Sequence, residues 1–160
     1  MKRVSLMAFP SSDKDDRASN VLADNRFIGT ARADISYLTF IEGRQIDNQI
    51  VEKLITVFQQ KRCRRYEPEN YIPVLITKEN LKRALKASKL KRAALQSPAK
   101  DGSLRFLKPA KNQELFCLHG RHRIEAAKKF LPDTDQWWTI RVYLVESDGT
   151  QTAILIPGHD

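Results

Sequence analysis

Five consecutive positions, His119-Gly120-Arg121-His122-Arg123, hold two histidines, two arginines and a glycine. The stretch Glu114-Leu115-Phe116-Cys117-Leu118 runs into them, and a helical pattern, Ile124-Glu125-Ala126-Ala127 to Phe130, follows at once. The first turn of a helix leaves backbone N–H groups without partners in the helix and carries the positive end of its dipole. Cations crowded there are unfavourable unless an anion sits among them. That conflict suits the binding of a phosphate by His119, Gly120, Arg121, His122 and Arg123. The competing reading is a surface turn whose charges face water.

Other chemistries find less support. Cys117-x-His119-x-x-His122 has the residue types of a zinc site but no evident fourth ligand, so no metal site is expected. Cys63 and Cys117 read as free thiols in a reducing compartment. Cys117 falls in a strand, where a buried cysteine behaves as a small inert apolar residue. No serine–histidine–acid set is legible. Glu125 is placed to pair with Lys129 one helical turn on. Trp137 and Trp138 are neighbours in an apolar run, so in a strand they face opposite sides. One belongs in the core; the other serves as cover or as a platform on which a base stacks.

These residues need elements to position them. Residues 1–30 are rich in Ser, Asp, Asn and Arg and read as a flexible N-terminal arm. Asp34-Ile35-Ser36-Tyr37-Leu38-Thr39-Phe40-Ile41 reads as a strand, with a turn at Glu42-Gly43-Arg44. Ile46, Ile50, Val51, Leu54, Ile55 and Phe58 recur at helical steps, predicting a helix capped by Asp47 and ending near Lys61. Tyr71 to Thr77 is a second strand, 79–95 a second helix, and 97–113 a loop with one short strand. Strands at 114–118 and 137–145 flank the third helix, which Pro132 stops; Ala153 to Ile156 adds a short edge strand. The order predicts a mixed α/β domain, a small sheet with packed helices, over 31–146 and a C-terminal tail over 147–160.

The chain is 160 residues and 41% hydrophobic, which suits one domain with a core. No apolar run approaches the roughly 20 residues that span a bilayer, which excludes a membrane helix. The start is a poor secretory signal, broken by Ser5 and Pro10, so an intracellular location, nuclear or cytoplasmic, is expected. The net charge of +9 is unevenly spread: residues 61–130 carry 19 basic and 6 acidic side chains. Such a block points to a nucleotide or nucleic-acid partner. Arg62, Arg64 and Arg65, with Lys82, Lys86 and Lys89 at helical spacing, are the candidate contacts to a phosphate backbone. A solvated lysine-rich helix is the alternative.

Gly120-Arg121-His122-Arg123-Ile124-Glu125-Ala126 is similar to the glycine-x-[His/Arg]-Arg-x-x-Ala box of the ParB/sulfiredoxin superfamily. The order of elements over about 34–145 resembles that superfamily too. The box binds CTP in ParB proteins and ATP phosphates in sulfiredoxin. The resemblance thus implies a nucleoside triphosphate, with Mg2+, as ligand. It also makes Arg44 the turn arginine after the first strand; Glu42, an acidic residue near the proposed site and beside Arg44, is by its own position a candidate catalytic base. Two departures fall at Arg121: sulfiredoxin has its reactive cysteine there, and ParB proteins an acidic residue. Sulfiredoxin chemistry is therefore not expected. Binding alone, or binding with hydrolysis or phosphotransfer, stays open, beside a non-enzymatic DNA/RNA-binding module or a protein-interaction domain. Cys63-Arg64-Arg65, Ile72-Pro73-Val74, the His119–Ala127 segment and Trp137-Trp138-Thr139-Ile140 also resemble a large family of longer, uncharacterised fungal proteins. The tail after Val145 departs from the continuation expected there, as in a truncated copy.

Overall fold

A computed structural model of the chain describes residues 26–40 and 45–146. The first strand, β1 (Arg26–Asp34), begins inside the segment read as an arm. Its sequence hides it: past Ile28, which is buried at the bulge, the residues turned to the core are small, Ala31 and Ala33, both fully buried. Small side chains are needed because the turn Arg92–Leu95 packs against this strand. At Gly29, beside a bulge, a Cβ would collide with the Leu95 backbone.

Asp34 ends β1. Its carboxylate accepts hydrogen bonds from the Ser36 backbone N–H (2.8 Å) and hydroxyl (2.7 Å). The chain therefore makes a 3-10 turn over Ile35–Tyr37, and the strand expected over 34–41 shrinks to β2, Leu38–Phe40. Helix α1 (Asn48–Lys61) starts as expected at Asp47, whose side chain accepts from Gln49 N at 2.9 Å. Strand β3 (Ile72–Thr77) leads into α2 (Lys78–Ser88), capped by Thr77. The helix expected over 79–95 stops early because Lys89 turns left-handed (φ 57°) and Leu90 N reaches back to Leu85 O at 2.9 Å. In the long loop after it, the only ladder contact among the described residues is a bridge between Arg32 and Phe106. Strand β4 (Leu115–Cys117), helix α3 (Arg121–Phe130) and strand β5 (Trp137–Val145) complete the domain.

The five strands form one mixed sheet in the order β1-β5-β3-β4-β2. Strand β5 runs antiparallel to β1 and parallel to β3; β4 runs antiparallel to β3 and parallel to β2. Val51 and Phe58 of α1, Leu81 and Ala84 of α2, and Ile124, Ala126 and Ala127 of α3 share one core with Trp138, Ile140, Val142 and Leu144 of β5. All three helices thus cover the same face of the sheet. Trp138 sits at its centre, fully buried, with Phe58 6.0 Å away and Phe130 set edge-on to Phe58. Strand alternation sends Trp137, Thr139, Arg141, Tyr143 and Val145 to the opposite face. Among the described residues no helix is long and apolar enough to cross a membrane.

Candidate functional site

The strand–glycine–helix unit is built as its sequence requires. Gly120 joins β4 to α3 at φ 103°, a left-handed conformation that costs any side chain, and a Cβ there would strike Ile72 Cδ1. Helix α3 starts at Arg121, three residues before the expected Ile124, so Arg121, His122 and Arg123 all lie in its first turn. That turn holds no acidic residue, and no side chain caps it, whereas Asp47 and Thr77 cap the other two helices.

The box side chains take different paths. His122 Nε2 accepts the Asp47 backbone N–H at 2.9 Å and ties the start of α3 to the start of α1. Arg123 is half-buried, and its Nη1 reaches the Asn70 carbonyl at 3.4 Å, a long hydrogen bond. Burial draws its guanidinium pKa below the ordinary value. Among the described residues no carboxylate pairs with it. His119 is exposed and Arg121 half-buried, and each has an interaction partner. Glu125 pairs with Lys128 at 3.3 Å, one position short of the expected Lys129. Glu42 and Arg44, the candidate base and turn arginine, lie outside the described residues.

Among the described residues no group of three or more His, Cys, Asp or Glu side chains could hold a metal ion. Cys117 is fully buried in β4, and burial pushes its thiol far above the ordinary range, which leaves it unreactive. Cys63 is buried in the core as a free thiol.

The second candidate set divides. Lys82 and Lys86 lie exposed on α2, but Lys89 leaves their helical face through its left-handed turn. Arg62 is exposed beyond α1, and Arg64 pairs with Glu67 at 3.7 Å. Arg65 is not a surface cation. It is buried, donates from Nη1 to the Asp135 carbonyl (2.9 Å) and the Trp137 carbonyl (3.3 Å), and pairs from Nη2 with the Asp135 carboxylate at 2.7 Å. Its guanidinium carbon lies 3.7 Å from the centre of the Trp137 ring. Trp137 is thus covered by a cation and unavailable to a base on that side. The partners of Arg65 lie some 70 residues away, so no local signal reveals this role.

A mixed-sheet domain with a glycine-started helix bearing an Arg-His-Arg first turn is the class that fold and site define. The chain belongs to the family described as "Protein of unknown function (DUF3723) N-terminal domain", which matches residues 26–158. The match begins where β1 begins and runs past Val145. Comparison with the curated proteins and with the solved structures gives no match.

Proposed function

We propose that the domain binds a phosphate-bearing ligand, a nucleotide by preference, at the start of α3. The observation that carries this reading is the first turn itself: Gly120 brings no capping side chain, the turn contains no acid, and Arg121 and Arg123 both lie within it. Positive charge is concentrated where the helix dipole is already positive, and an oxyanion relieves both. Arg123 adds to the case, because its charge is desolvated against a neutral carbonyl. The likeness of Gly120–Ala126 to the ParB/sulfiredoxin box supports the same ligand class. Mg2+ would accompany a triphosphate on its phosphate oxygens. The reading is one of binding: the only carboxylate in α3, Glu125, is engaged by Lys128.

Thermal-shift titration of the chain with nucleoside triphosphates, diphosphates and inorganic phosphate, with and without Mg2+, tests the reading. A nucleotide should raise the melting temperature in proportion to its occupancy. Arg121→Ala and Arg123→Ala should each weaken binding by about 1.5–3 kcal/mol, the worth of a charge-assisted hydrogen bond, while the fold survives. No stabilisation by any of these ligands, with both variants merely less stable, would make the segment a structural turn.

A further inference from the structure

The sheet face turned away from the helices carries a pattern that the phosphate site does not use. Phe27, Tyr143, Leu75 and Phe116 stand opposite one another on β1, β5, β3 and β4, so their side chains form one row across the sheet, anchored at Leu75, which is buried with Leu118 and Val145 and packed by the half-buried Tyr143, and open at its two phenylalanine ends. The rings of Phe27 and Tyr143 lie 5.5 Å apart. Phe27 is 55% exposed and Phe116 43%, large values for phenylalanines on a sheet face. Beside this row lies a second, in which Arg141 stands opposite Thr30 and Pro73 and its guanidinium carbon sits 5.5 Å from the Tyr71 ring. At the far end of β5, Arg32 lies 4.2 Å from the ring centre of Phe106, itself 47% exposed. Among the described residues no ion pair involves Arg32 or Arg141, though Arg32 Nε donates to the Leu104 carbonyl at 2.8 Å.

We infer that this face binds single-stranded nucleic acid, with Phe27, Tyr143 and Phe116 stacking on bases and Arg141 and Arg32 meeting phosphates. Stacking needs exposed ring faces on a rigid support, and strands about 4.8 Å apart provide one. Arg141, whose one polar or ring partner among the described residues is the Tyr71 ring, supplies a charge beside the rings that a purely apolar partner would leave unpaired. The lysines of α2 lie on the other side of the sheet, so this surface is separate from the basic helix.

Fluorescence anisotropy of labelled oligo-uridine and oligo-thymidine, beside a duplex of equal length and heparin, gives the test. Charge alone favours the duplex, which has the denser phosphates. Stacking on unpaired bases should override that preference, so the single strands should bind more tightly than the duplex. Phe27→Ala and Phe116→Ala should each weaken that binding by about five- to a hundredfold, and Phe27→Trp should restore it. Arg141→Gln should lower the salt slope by about 0.7 per lost phosphate contact. Both phenylalanines are exposed, so a thermal melt should show the variants folded. A saturating nucleotide should leave strand binding unchanged, which keeps this surface distinct from the start of α3. Tighter binding of duplex or heparin, or full affinity in a folded Phe27→Ala/Phe116→Ala variant, overturns the inference. So does a concentration-dependent dimer that this double variant abolishes.

Discussion

Two adjacent tryptophans show how differently the two faces of this sheet are built. Trp138 is fully buried under three helices among aliphatic and aromatic neighbours, and its indole N–H donates to the Asn70 carbonyl at 2.8 Å. Trp137, one residue earlier, is only partly buried and is covered by guanidinium groups, Arg65 at 3.7 Å and Arg32 at 5.2 Å. The helix face gains its stability from apolar volume. The opposite face mixes charge with aromatic surface and leaves two buried polar atoms without partners, Arg65 Nε and Thr139 Oγ1. Unsatisfied buried groups cost stability, so the second face is the weaker contributor to folding and the freer to recognise a ligand.

Removing the centre of the helix face should have the largest effect. Trp138→Ala should lose about 3–5 kcal/mol of unfolding free energy in urea titration, because a large fully buried side chain leaves a cavity. Trp137→Ala should lose clearly less; equal losses would erase the distinction between the faces. Next comes Arg65→Ala, which strips the cation from Trp137 and from two carbonyls. A loss of about 1.5–3 kcal/mol is expected, the range for hydrogen bonds to a charged group. Arg65→Lys should recover only part of it, since an ammonium cannot match the planar fork.

The smallest effect is on acid sensitivity. The hydrogen bond from Arg65, with its charge and a further bond from Trp137, holds the Asp135 carboxyl below its ordinary value. A depressed folded pKa stabilises the fold above the ordinary carboxylate pKa, near 4, and that share is lost as pH falls through the depressed folded value. Asp135 is close to half exposed, so solvent screening limits the share to about 1 kcal/mol or less. Stability curves at pH 7 and pH 3 should converge between wild type and Asp135→Asn as the solution is acidified. A constant gap would mean that the pair contributes nothing that titrates.

The helix face was the more legible in sequence. The helical spacing from Ile46 to Phe58 and the Asp47 cap specify α1, and simple alternation separates Trp137 from Trp138. Strand β1 escaped because, past Ile28, its inward residues are a glycine required by the close approach of the turn at Leu95 and two alanines, which lack the bulk that marks a strand. The alternation Thr30-Ala31-Arg32-Ala33 was its one available signal. The start of α3 was legible as a crowd of cations after a glycine, but the fate of each side chain was not. His122 turns to Asp47 across 75 positions, and Arg65 turns to Asp135 across 70. Such pairings follow from how elements stack, which spacing along the chain does not encode.

The Asn70 carbonyl takes two donors at once, Trp138 Nε1 from the core and Arg123 Nη1 from the first turn of α3. The chain has only two tryptophans, and this one is sealed from solvent. One oxygen therefore wires the helix start to an internal optical probe. Any ligand that draws the Arg123 guanidinium away leaves the indole as sole donor and removes a positive charge from beside it. The emission of Trp138 then reads occupancy at a distance, with no label attached.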